Sequence, residues 1–165
     1  MSEVPQILLQ HHLKKLRLPT FMAEYQKQAH QCAAENRDHV HYLSRLAELE
    51  LIERERRMVE RRIKAAKFPA VKSLDSFDFK AMPSLNKPMV MELARCEYLD
   101  RFENVIALGP SGTGKTHIAL GLGLAACQKG LKVRFITAAS LVHELIEARD
   151  EKQLLRLQKQ LASQH

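Results

Sequence analysis

The sequence predicts an α/β protein: an all-helical domain over residues 1–67, a linker over 68–84, and over 85–165 the first part of a parallel-sheet domain built on a glycine-rich loop. Two observations carry this. Apolar residues recur at helical spacing through a glycine-free first 67 residues, whereas residues 105–137 read as strand, loop, helix, strand. All six glycines fall between 109 and 130, so the backbone freedom of the chain is concentrated in and just after one loop.

Residues 6–16 read as a short amphipathic helix, ended near Leu18 because a residue before proline avoids the α region. Pro19 suits the first turn of a second helix running through Tyr25 to Ala34. A long helix follows, with Leu43, Leu46, Ala47, Leu51, Met58, Val59, Ile63 and Ala66 at roughly helical spacing and a slip near 54–57. Phe68-Pro69 stops it. Residues 68–84 read as an extended linker anchored by Phe77 and Phe79, more a packing anchor than a base-stacking platform, since only Lys80 adjoins them. A helix is expected over 86–97.

Val105-Ile106-Ala107-Leu108 reads as a buried parallel strand, residues 115–129 as a helix with Gly130 as its stop, and residues 132–137 as a second strand. Ser140 is placed to cap a helix over 141–149, and the pattern resumes at Leu154, Leu157 and Leu161.

Between the first strand and its helix, Gly109, Pro110, Ser111, Gly112, Thr113, Gly114, Lys115 and Thr116 satisfy G-x-x-x-x-G-K-[ST] at every fixed position. A nucleoside triphosphate is a dense anion, and successive backbone N–H groups in a tight turn form a concave nest around its oxygens. The helix that follows adds unsatisfied N–H groups and a positive dipole end. On this pattern Lys115 stabilises charge on the β- and γ-phosphates, the Thr116 hydroxyl holds Mg²⁺, and His117 stands beside the phosphates at the helix start. ATP and Mg²⁺ are the cofactors expected.

A net charge of +7 favours an anionic partner. Between residues 53 and 67, seven basic residues face three acidic ones, a local net of +4. Arg54, Arg56, Arg57, Arg61, Arg62 and Lys64 of this stretch are the candidate DNA-backbone contacts. The alternative is a solvated helix laced with pairs such as Glu60 with Lys64.

Other chemistry finds little support. Cys32, Cys96 and Cys127 are odd in number and far apart, so they read as small buried residues. His11-His12, His30-x-Cys32 and His39-x-His41 lack the spacing of a helical zinc site. Neither an 18-residue apolar run nor a leader pattern is present, which makes the cytoplasm the expected location, with no membrane partner. No apolar run ending in Asp or Glu follows Thr137, so the acidic strand that a triphosphatase uses to hold its metal is missing, and nucleotide binding with slow or no hydrolysis is expected.

Several segments in this order resemble the IstB family: Leu16-Arg17-Leu18-Pro19, residues 63–69, Phe77-Asp78-Phe79, Glu103-Asn104-Val105, residues 108–117, Val133-Arg134-Phe135 and Thr137-Ala138-Ala139. These are ATP-binding helper proteins of insertion-sequence transposition, related to helicase loaders within the AAA+ ATPases. The resemblance implies an N-terminal helical domain that binds DNA or the transposase, and an AAA+ core that binds ATP and forms homo-oligomers on DNA. Relative to that family the sequence looks truncated before its acidic (Walker B) strand, which brings stable assembly as well as hydrolysis into question. Two further readings compete with an ATP-binding transposition helper: a non-enzymatic DNA-binding or interfering fragment, and a small-molecule P-loop kinase. The kinase is disfavoured because 108 residues precede the loop and no Arg-rich lid follows.

Overall fold

A computed structural model describes residues 3–163, with side chains from residue 5 onward. Eight helices are formed among these residues: α1 (Glu3–Lys15), α2 (Pro19–Ala34), α3 (His39–Ala65), α4 (Lys87–Leu93), α5 (Glu97–Asp100), α6 (Lys115–Gln128), α7 (Ala138–Asp150) and α8 (Leu154–Ala162). The chain divides into two compact units, Met1–Met58 and Val59–His165. The division falls inside α3. No helix among the described residues is long and apolar enough to cross a membrane.

In the first unit Leu13, Cys32 and Leu46 are buried. The Tyr42 hydroxyl ties α3 to α2 by donating to the Tyr25 carbonyl at 3.1 Å. More unusual is Glu50, only 4% exposed, whose carboxylate accepts from the Thr20 N–H at 2.9 Å and from Arg57 at 3.0 Å. The preceding Leu18 has no side-chain oxygen to cap α2, so Glu50 of α3 supplies an acceptor and a negative charge to the first turn of that helix from a distance.

A repeated device ends the helices. At Arg17 (φ 58°) the N–H bonds Lys14 O while Leu18 N–H reaches back to Leu13 O, the paired bonds of a left-handed C-terminal cap. Asn36, Phe102, Gly130 and Lys152 repeat this pair of bonds. Four of the five are not glycine. Their strain, about 1 kcal/mol each, is carried by the flanking helices.

The second unit is organised on α6, in which Leu120, Gly121, Leu122, Leu124, Ala126 and Cys127 are all buried. Leu122 packs with Leu74 and Val90, surrounded by Phe79, Leu85, Leu93, Ala94 and Ile118. Residues 68–84 therefore contribute to this core: a Cβ on Gly121 would lie 2.6 Å from Leu74 Cδ2, and one on Gly123 would lie 3.0 Å from the Phe68 ring. Phe77 and Phe79 meet edge to face with centroids 4.9 Å apart. All three cysteines are free and buried, as their odd number and wide spacing in the sequence suggest.

Three expectations are corrected. Neither residues 105–108 nor 132–137 form a strand; both are extended, without ladder bonds among the described residues. A strand exists only through backbone partners. None is offered to 105–108, where Ile106 and Leu108 stand 79% and 89% exposed, while the Phe135 N–H donates to the Ala66 carbonyl at 2.8 Å instead. The helix expected over 86–97 is shorter, capped by Asn86 Oδ1 on the Met89 N–H at 3.1 Å and broken where Cys96 turns left-handed at φ 60°. Thr137, not Ser140, caps α7: its hydroxyl accepts from the Ser140 N–H at 3.2 Å.

Candidate functional site

The loop from Gly109 to Lys115 takes a conformation that its residue types dictate. Gly109, Gly112 and Gly114 have φ of 150°, 80° and 79°, values at which a side chain would be strained. Gly114 is the N-cap of α6, and its carbonyl accepts from the Ile118 N–H at 2.9 Å. The N–H groups of Lys115, Thr116 and His117 precede that first helical bond and have no acceptor within the helix.

Lys115 folds back over the loop. Its ammonium donates to the carbonyls of Gly109 at 2.9 Å and Pro110 at 2.5 Å, and lies 3.4 Å from Thr113 Oγ1. The Thr113 hydroxyl itself donates to Pro110 O at 2.9 Å. A positive charge thus sits against the loop carbonyls beside a helix N-terminus, the electrostatic requirement for holding an anion. Ser111, Gly112 and Thr116 are exposed, and nothing lies within 4 Å of a Cβ placed on Gly112. Beside the loop opens a cavity of about 360 Å³ whose walls are mostly apolar, including Leu85, Val90, Leu108 and Ile118, with Ser84, Asn86, Thr113 and Lys115 as polar exceptions.

His117 stands in the first turn of α6, where it was expected, and its imidazole is engaged by Ser73 O at 3.0 Å and Ser76 Oγ at 3.2 Å. Phe77 also touches the site, against Gly114. Sequence spacing could not place Ser73, Ser76 or Phe77 here, because they lie some forty positions from the helix they meet, and only the pair of aromatics at 77 and 79 signalled an anchor.

The six basic candidates on α3 are distributed unevenly. Arg54 donates to Arg17 O at 3.2 Å, and Arg57 to Glu50, to Glu53 O at 3.0 Å and to Thr20 Oγ1 at 3.4 Å. Arg62 lies with its guanidinium 3.6 Å from a Cβ built on Gly130, beside the C-terminal end of α6. Burial raises the nearby Cys127 thiol above its ordinary value, an effect that Arg62 partly offsets. These three arginines serve the fold. Arg56 pairs with Glu53 at 2.9 Å but is half exposed, and Arg61 and Lys64 are exposed.

The sequence profile of the family described as IstB-like ATP binding protein matches residues 11–165. A protein named as an ATP-binding protein of insertion sequence IS5376 in Geobacillus stearothermophilus is 38% identical over 140 residues, 85% of this chain and 56% of that protein. Its counterpart named for insertion sequence IS21 in Pseudomonas aeruginosa is 35% identical over 150 residues, 91% and 57% of the two. An insertion-sequence ATP-binding protein of Sinorhizobium fredii is 39% identical over 143 residues, 86% and 48%. The chain spans about half the length of these curated relatives. With a profile match covering nearly every residue, this chain belongs to the IstB-like ATP-binding protein family.

Proposed function

We propose that this chain binds ATP with Mg²⁺ through the loop at 109–116 as part of an insertion-sequence transposition helper. One observation carries the reading: the Lys115 ammonium rests on the Gly109 and Pro110 carbonyls at the open N-terminus of α6, where a polyphosphate would take it over. Charge-assisted bonds to phosphate oxygens are stronger than bonds to neutral carbonyls, so the exchange is favourable. Thr116, exposed at the helix start, would hold Mg²⁺, which when bound neutralises phosphate charge. No acid lines the cavity beside the loop, and this supports binding over hydrolysis. The cytoplasm is the location that fits this role.

Equilibrium dialysis with labelled ATP and Mg²⁺ tests the proposal. Uptake that falls at least about tenfold in Lys115→Ala is expected, the loss of one charged hydrogen-bonding group. No uptake by folded wild-type protein, or uptake indifferent to Lys115, refutes it.

The DNA role rests on the outward members of the basic stretch, Arg56, Arg61 and Lys64, with Arg54, Arg57 and Arg62 as scaffolding. Binding to duplex DNA of arbitrary sequence is expected to weaken as salt rises. Changing Arg56, Arg61 and Lys64 together to Gln should reduce the slope of log K against log salt by about three. An unchanged slope would place DNA elsewhere. Transposase and self-association are proposed as partners from the family relationship alone.

A further inference from the structure

Gly114 is gripped from outside the loop. A Cβ at this position would lie 2.5 Å from Phe77 Cε2, so the phenyl ring is seated directly on the glycine that opens α6. Phe77 is held in turn by the edge of Phe79 and by the His117 ring, whose centroid is 5.2 Å away at 85°.

The hydrogen bonds of His117 define its state. Its Nε2 lies 3.0 Å from the Ser73 carbonyl, which can only accept, so Nε2 carries a proton and donates. The Ser76 hydroxyl donates to that same carbonyl at 2.8 Å and turns its lone pairs toward Nε2 at 3.2 Å. One imidazole on the first turn of α6 therefore closes residues 73–77 over Gly114. The other end of the loop is open, with Ser111 and Gly112 exposed and Lys115 bound only to carbonyls and a hydroxyl of the loop itself. One end is clamped and the other is free to receive a ligand.

We propose that His117 is a positioning residue for nucleotide: through Ser73, Ser76 and Phe77 it fixes Gly114 and the first N–H groups of α6 in the phosphate-receiving arrangement, without itself touching the nucleotide. This rests on the phosphate-loop reading above. Donors held in place before the ligand arrives cost it less ordering, so loosening the clamp weakens binding although no contact to the ligand is removed.

The full chain tests this in two measurements. His117→Ala is expected to raise the Kd for MgATP about tenfold. It should also speed amide hydrogen exchange at residues 114–118 while leaving the melting midpoint of the protein nearly unchanged. His117→Gln, whose side-chain N–H can reach the same carbonyl, should restore the Kd to within about threefold of wild type. A purely structural histidine would shift melting and exchange throughout the unit, and glutamine would not rescue affinity selectively. Wild-type exchange and Kd in His117→Ala overturn the clamp, as does a His117→Gln as weak as the alanine variant. Should Lys115→Ala bind MgATP as wild type does, the phosphate-loop reading fails, and the exchange measurement still decides whether the clamp exists.

Discussion

Alanine at Gly114 is expected to lower the melting midpoint of the second unit by roughly 10 °C or more and to abolish nucleotide uptake, the larger loss of any single methyl added to this loop. Two costs add. At φ 79° a Cβ is strained against its own backbone, about 1–2 kcal/mol. The same Cβ would sit 2.5 Å from the Phe77 ring, which cannot retreat without losing its contacts to Phe79 and His117. Differential scanning calorimetry of Gly114→Ala, Phe77→Ala and the double variant separates them. The double variant should lose distinctly less than the sum of the singles, because removing the ring removes the clash and leaves only the backbone strain. Strict additivity would show that the two residues do not press on each other.

Glu50→Ala should cost the first unit about 2–4 kcal/mol, a large share of the stability of a unit this small. The buried carboxylate accepts from the Thr20 N–H and from Arg57, with Arg54 at 3.5 Å, so its removal strips α2 of a cap and takes the shared acceptor from both arginines. The figure is held below that of a fully buried pair because Arg54 and Arg57 keep 53% and 34% of their side-chain surface in water. Glu50→Gln should recover part of the loss by keeping an acceptor for Thr20. Urea unfolding followed by circular dichroism measures both, and a Glu50→Ala within 0.5 kcal/mol of wild type, roughly the effect of an ordinary surface change, would refute the capping role.

Acid should act on the same group. Burial alone pushes the Glu50 carboxyl up, but the bonds from Thr20, the Phe21 N–H and Arg57 outweigh it and bring the carboxyl below the ordinary 4.5. A depressed folded value means that the unfolded chain takes up the proton first, so the contribution of Glu50 is complete above about 4.5 and is lost as pH falls through the lower folded value. The stability difference between wild type and Glu50→Ala should therefore shrink below pH 4.5 and persist at neutrality.

What the sequence by itself determined was local. Helix existence in residues 6–65, the glycine-rich turn at 109–114 with a helix at 115 after it, and the stop at Gly130 follow from periodicity, proline and glycine, which act within a few positions of one another. Tertiary structure decided the rest, because it depends on partners far along the chain. Residues 105–108 and 132–137 have the composition of strands, yet strand formation is a property of the neighbour and not of the segment. A cluster of six basic residues looked uniform until folding assigned Arg54 and Arg57 to Glu50 and Arg17, and Arg62 to the end of α6. His117 was legible as a residue at the start of the helix after the glycine-rich loop, but its bonds to Ser73 and Ser76 span more than forty positions, and only the fold brings such distant hydrogen-bonding groups within 3.2 Å.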